Sequence, residues 1–214
     1  MNFGPASPDL LPGAKNAIET CLAVKPGERV ALIADEPSRA VAASLAAALA
    51  KVRADYTGLL LEEFGPRPLK AAPAPVLEAL ETADVGVLCM NPQPGELTAR
   101  MAIVKVVERR QIRYAHMVGV TPEIMRQGMR ADYRMVDRLS DKLRARMLRA
   151  ETLTVKTEAG TEFAVLHEAA VLWASDQFFS THCRARWHGV VQYRRGSRET
   201  RAFRLTDQRW ASAV

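Results

Sequence analysis

Short apolar runs alternate with longer segments of helical periodicity up to about residue 150. Four runs predict strands: Arg29–Ala34, Tyr56–Glu63, Asp84–Met90 and Ile112–Val118. The first is continuous in apolar residues from Val30 and is bounded by a turn. That pattern is typical of strands buried on both faces of a sheet.

Between these runs the apolar positions recur every three to four residues, which predicts helices. The predicted helices are Ala14–Val24, Glu36–Lys51, Val76–Ala83, Glu96–Gln111 and one that begins after Thr121. Strands that alternate with helices form right-handed crossovers and a parallel sheet. The sequence therefore predicts an α/β fold, a doubly wound, mostly parallel Rossmann-like sheet with flanking helices, over residues 12–150.

From Thr152 onward the period changes to two. Leu153–Thr157 and Thr161–Val165 flank a turn that contains Gly160, which predicts a β-hairpin. We interpret residues 151–166 as the start of a truncated second domain. A lone hairpin exposes unpaired backbone groups, so we expect possible self-association through it.

The charge of the chain is unevenly distributed. The net charge is +6, and all of it arises after Cys183, where eight arginines face one glutamate and one aspartate. We predict that residues 167–214 are an atypical, poorly ordered, Arg-rich tail. A frameshift in the coding sequence near residues 164–170 would explain the change in composition. The alternative is a selected nucleic-acid-binding tail, because its arginines alternate with Trp187, Tyr193, Phe203 and Trp210.

Neither composition nor termini indicate secretion or membrane insertion. The three cysteines form no C-x-x-C pair, no apolar run reaches the length of a membrane helix, and the first residues do not form a signal peptide. We therefore expect a cytoplasmic protein with no membrane partner.

Polar residues follow the predicted strands, at the edge where open α/β sheets bind ligands. They are Asp35, Glu36, Glu62, Glu63, Asn91, Gly119 and Thr121. We favour helix capping and loop solvation over a substrate cleft for this set. The first strand is followed by no G-x-G-x-x-G, which excludes a dinucleotide site of that type.

The histidines and cysteines do not form a convincing metal site. His116 lies inside a predicted buried strand and Cys89 at a strand end, so we interpret both as structural. The only cluster of soft ligands in the sequence is His167, His182, Cys183 and His188, and it lacks the paired spacing of a zinc site. We expect no catalytic, cofactor-binding or metal-binding residue in this chain.

Several segments carry a resemblance to one enzyme family. They are V-K-P-G-E-R-V-A-L-I from Val24, Asp84–Leu88, Thr98–Arg100, M-V-G-V-T-P-E from Met117 with G-M-R-A-D-Y to Tyr133, and the hairpin ending in A-G-T-E. Together they resemble the N-terminal domain of aminopeptidase T-type metallopeptidases, whose relatives include dihydroxypyridine dioxygenase-like proteins. The family's N-L-P-x-G-E stretch after the hairpin is missing.

The resemblance implies an enzyme that removes N-terminal residues from peptides with zinc or cobalt, or, in the dioxygenase branch, one that uses iron. Such a metal would supply activated water in the peptidases. The family's metal ligands follow the hairpin, and no residue here matches them. We therefore expect a fragment that is inactive alone, with peptide substrate only in full-length relatives and with nucleic-acid binding by the tail as an alternative.

Overall fold

The computed structural model describes residues 3–147, 152–156, 158, 162–166, 190–195 and 199–204. These residues divide into two compact units, one up to Tyr133 and one from Arg134 onward.

A four-stranded, all-parallel sheet forms the centre of the first unit. Its strands are β1 (Arg29–Ala34), β2 (Asp55–Leu60), β3 (Val85–Met90) and β4 (Arg113–Val118), in the order β2-β1-β3-β4. Helices flank this sheet, which confirms the predicted α/β class and is consistent with a doubly wound, Rossmann-like fold.

The helical elements follow the predicted order. They are α1 (Leu11–Lys15), a π-helix (Asn16–Cys21), a 3-10 turn (Glu36–Ser38), α2 (Arg39–Lys51), a 3-10 turn (Leu61–Phe64), α3 (Ala74–Thr82), α4 (Leu97–Arg110), α5 (Pro122–Arg126), a 3-10 turn (Gly128–Arg130) and α6 (Tyr133–Met147). The predicted helix Ala14–Val24 is thus mostly a π-helix, and the strand predicted to continue to Glu63 ends at Leu60.

Alternate residues of the strands enter two separate cores. Val30, Leu32 and Ala34 of β1 pack with the alanine-rich α2, whereas Ala31 and Ile33 pack with residues of α3 and α4. Successive side chains of a strand point to opposite faces, so one apolar run supplies both cores. This explains why β1 contains no polar residue after Arg29.

Strand β4 lies at the edge of the sheet, next to β3 only. Its side chains are correspondingly less buried than those of β3, and His116 is exposed. The expectation that His116 is buried was wrong, because the apolar character of Ile112–Val118 does not reveal on how many sides the strand is paired.

The second unit contains α6 and two antiparallel pairs. Strand β5 (Thr152–Lys156) pairs with β6 (Glu162–Leu166), where the hairpin was predicted. Strand β7 (Val190–Arg195) pairs with β8 (Glu199–Arg204), within the tail for which no strand was predicted. In the described part of the chain, no helix has the length and apolar character needed to cross a membrane.

Candidate functional site

The carboxyl ends of β1, β2 and β3 meet at one edge of the sheet. Asp35 follows β1, Glu62 lies one residue past the start of the turn after β2, and Asn91 follows β3. The connections from β1 and β3 lead to opposite faces, so this edge is the topological switch point where open α/β sheets bind ligands.

Arg67 fills this switch point. Its side chain is 5% exposed, and Nη1 donates to Asp35 Oδ2 at 3.2 Å and to Glu62 Oε1 at 3.1 Å. Nη2 donates to Glu96 Oε2 at 2.6 Å and to the Asn91 carbonyl oxygen at 3.1 Å, and Nε donates to Glu96 Oε1. A guanidinium has five N–H donors, and these five bonds use all of them.

Glu96 is bound from three directions at the start of α4. Besides the guanidinium of Arg67, the backbone N–H groups of Leu69 and Gln93 donate to its carboxylate, each at 2.9 Å. Burial acts to raise the pKa of Glu96, but the hydrogen bonds from Arg67, Gln93 and Leu69 outweigh it and lower the pKa to about 2. The carboxylate therefore stays ionised throughout the physiological range.

Asp35 is completely buried and joins β1, β3 and α2. Its Oδ1 accepts from the backbone N–H of Ser38 at 3.0 Å, which caps the following turn. Its Oδ2 accepts from the backbone N–H of Asn91 at 2.7 Å as well as from Arg67. Glu62 similarly accepts from the backbone N–H of Glu36 at 3.1 Å.

One guanidinium and three carboxylates therefore form a closed network, which we call the Arg67 cluster (Asp35, Glu62, Arg67 and Glu96). Ion pairs and backbone donors occupy its carboxylates, so none is placed to act as a general base. Within the described residues, no group of histidine, cysteine, aspartate and glutamate side chains is arranged to hold a metal ion.

The capping interpretation of the strand-end residues is confirmed for Asp35 and Thr121. The Thr121 hydroxyl accepts from the backbone N–H of Ile124 at 3.3 Å. The capping interpretation does not account for the whole set, since Glu62 belongs to the Arg67 cluster. Glu36 pairs with Arg39 at the surface, and Glu63 is exposed.

The other predicted candidates lie apart from this cluster or outside the described residues. Cys89 is a buried core residue as predicted, and burial raises the pKa of its thiol to about 12. Tyr193 and Phe203 lie on β7 and β8. The remaining tail candidates, His167, His182, Cys183, Trp187, His188 and Trp210, lie outside the residues that the structure describes.

Arg67 and Glu96 were not among the predicted site residues. Arg67 lies in a proline-spaced loop, and Glu96 resembled an ordinary first residue of a helix. A usable signal was present, because Asp35 and Glu62 follow two apolar strands. Carboxylates that the fold brings together at a buried edge need a cation, and Arg67 is the only arginine of that loop.

No family model matches the chain, and no curated protein matches it. Among solved structures, the 2,5-dihydroxypyridine dioxygenase of Pseudomonas putida KT2440 is similar with a TM-score of 0.47 and 19% identity. AmpT from Thermus thermophilus is similar with a TM-score of 0.42 and 13% identity. The match covers 76% of this chain and 48% of the dioxygenase, and 72% of this chain and 58% of AmpT. The relationship to both is distant, and the chain spans roughly half the length of each.

Proposed function

We propose that residues 3–133 are the α/β scaffold of a metal-dependent enzyme of the aminopeptidase T type, and that this chain is inactive alone. The observation that carries the proposal is the closed Arg67 cluster at the switch point. An edge that would otherwise receive a ligand is occupied by the chain's own ion pairs. A domain built in this way holds its strands and helices in register and leaves the reacting groups to another part of the enzyme.

The carboxylates of the cluster do not fit a divalent metal ion. A zinc, cobalt or iron site needs free carboxylate or imidazole lone pairs, whereas here Arg67 and backbone N–H groups already bind Asp35 and Glu96. We derive no catalytic step from these residues. The resemblance of the Met117–Tyr133 segment supports a relationship to the wider family. It does not distinguish the peptidase branch from the dioxygenase branch.

An activity assay on the purified full chain tests this proposal. Leucyl-p-nitroanilide is incubated with the chain in the presence of cobalt or zinc, and release of p-nitroaniline is followed. We expect no release above the metal-only blank. Release that a chelator abolishes would show that the chain carries its own metal site and would overturn the proposal.

The coding DNA offers a separate test of how the fragment arose. We propose a single-base insertion or deletion near codons 164–170. One of the two other reading frames would then encode an N-L-P-x-G-E-like stretch, followed by metal ligands beyond codon 214. If both alternative frames are closed soon after codon 170, the tail is a selected segment and the frameshift is excluded.

A further inference from the structure

A second polar cluster lies on the face of the sheet that α3 and α4 cover. It consists of Arg100 on α4 and of Tyr114 and His116 on the edge strand β4. Tyr114 is in register with Gly86 of β3, and a Cβ atom at Gly86 would lie 2.9 Å from Cδ2 of Tyr114. The missing side chain at Gly86 therefore gives the tyrosine ring its place against the sheet.

Two donors of this cluster are buried without partners. Tyr114 is 8% exposed, and its hydroxyl makes no hydrogen bond to any described residue. The Nε of Arg100 is likewise buried and unpaired within the described part of the chain. Buried donors are almost always satisfied in folded proteins, so two unpaired donors on neighbouring elements require an explanation.

The Arg67 cluster explains why Arg100 has no carboxylate partner on its own helix. Glu96 precedes Arg100 by four residues, a spacing at which opposite charges commonly pair along a helix. Here both oxygens of Glu96 bind Arg67 instead. Glu96 is therefore not available to pair with Arg100.

His116 extends the cluster towards the open edge of the sheet. The rings of Tyr114 and His116 lie 5.8 Å apart between centroids, tilted by 56°. Surrounding protein atoms and, next, the positive charge of Arg100 lower the pKa of His116 to about 4, although the side chain retains an exposed face. The imidazole is therefore neutral at pH 7 and can donate one hydrogen bond.

The positive charge of Arg100 also acts on Tyr114. Burial raises the pKa of the Tyr114 phenol, and Arg100 acts in the opposite direction. Ala99 and Ile103, on either side of Arg100 along α4, pack in the same core as Tyr114, so this part of α4 lies over the tyrosine. An arginine fork, a phenol and a neutral imidazole thus offer several donors on the adjoining elements α4 and β4.

We propose that Arg100, Tyr114 and His116 form a binding site for an oxyanion, the carboxylate or phosphate group of a small molecule. A guanidinium binds either group side-on through Nε and one Nη, and the Tyr114 hydroxyl and the His116 ring supply further donors. Such a ligand would satisfy the two buried donors and neutralise Arg100. This site does not depend on the proposed function.

Thermal unfolding of the full chain tests the site with two probes, inorganic phosphate and acetate, at constant ionic strength set by sodium chloride. At an anion concentration ten times its Kd, the melting temperature should rise by about 3–6 °C. Arg100→Met should lose this rise, and Tyr114→Phe should reduce it. Lys105→Met is the matched control, since it removes one positive charge from the exposed side of the same helix, and it should keep the rise.

The two probes also separate the two ligand sources. A rise with phosphate alone identifies a phosphate site, a rise with acetate alone identifies a carboxylate site, and a rise with both supports a general oxyanion site. The ring proton signals of His116, assigned with His116→Gln, should shift with the same probe in a saturable way. No rise and no shift with either anion, or an undiminished rise in Arg100→Met, would overturn the proposal.

Discussion

Arg67 and Arg100 lie in the same unit, and their surroundings are opposite. All five donors of Arg67 are bound, by three carboxylates and a backbone carbonyl oxygen. Among the described residues, neither the buried Nε of Arg100 nor the buried hydroxyl of Tyr114 has a hydrogen-bond partner. A charged cluster that satisfies itself is a structural element, whereas one with unmet donors is the better candidate for a ligand.

The two arginines also differ in their relation to Glu96. Arg67 binds both of its carboxylate oxygens, so Glu96 is not available to Arg100, one helical turn further along. The following predictions test the difference between the two clusters, from the largest expected effect to the smallest.

Arg67→Met should cause the largest loss of stability. It leaves Asp35 and Glu96 buried without their cation, and breaking a buried ion pair in this way costs about 3–5 kcal/mol. Urea unfolding of the full chain measures this free energy. Arg109→Met is the control, since Arg109 is 64% exposed and pairs with Glu81 at the surface, where the loss should stay below about 1 kcal/mol. Equal losses in the two variants would show that the cluster has no structural role.

Acidification should weaken the same cluster. The pKa of Glu96 is about 2 in the folded chain, below its usual value of 4.5, so its contribution is complete above about pH 5 and is lost as the pH falls towards 2. The shift corresponds to about 3 kcal/mol at most. The free energy of unfolding, measured in urea between pH 6 and pH 2, should fall less steeply in Glu96→Gln than in the unaltered chain. Parallel profiles would contradict this assignment.

Gly86→Ala should have a moderate effect that is centred on the other cluster. The added Cβ would lie 2.8 Å from Leu80 Cδ2 and 2.9 Å from Tyr114 Cδ2, so the tyrosine ring must move. Such overpacking costs about 1–3 kcal/mol. Gly128→Ala, where no atom lies within 4 Å of the new Cβ, should change the free energy of unfolding by less than about 0.5 kcal/mol. If Gly86→Ala leaves the free energy of unfolding unchanged, the ring of Tyr114 is not tightly packed.

Tyr114→Phe should have the smallest effect on the free energy of unfolding, and any change should be stabilising. Its hydroxyl is buried without a partner among the described residues, so its removal in anion-free buffer should leave stability unchanged or raise it by up to about 1 kcal/mol. Tyr133→Phe is the matched control, because the Tyr133 hydroxyl donates to the Gly128 carbonyl oxygen at 3.1 Å and its loss should cost about 0.5–1.5 kcal/mol. A larger loss in Tyr114→Phe than in Tyr133→Phe would show that the Tyr114 hydroxyl is satisfied.

Much of the fold could be predicted from the sequence because its signals are local. Apolar runs such as Arg29–Ala34, separated by helical periods, specify strands, helices and a parallel sheet. The change of period after Thr152 specifies the β5–β6 hairpin. The end of β2 was predicted less accurately. The turn at Leu61–Phe64 allows Glu62 to contact Arg67, and hydrophobic periodicity does not reveal that contact.

The polar clusters could not be predicted in the same way. Arg67 contacts residues 32 and 29 positions away, and a loop arginine between two prolines does not indicate which strand ends it will contact. The position of β4 at the edge of the sheet could not be predicted from the sequence either, because strand order is a property of the tertiary structure. The exposure of His116 follows from that order.

The most direct test of the account is to measure the unfolding free energies of Arg67→Met and Arg100→Met side by side in urea, at pH 7 and without added oxyanion. Both substitutions remove one guanidinium from the same unit and leave an unbranched apolar side chain. The account predicts a loss of about 3–5 kcal/mol for Arg67→Met and little loss, or a gain, for Arg100→Met. A loss in Arg100→Met as large as that in Arg67→Met would contradict the distinction between a closed structural cluster and an open binding cluster.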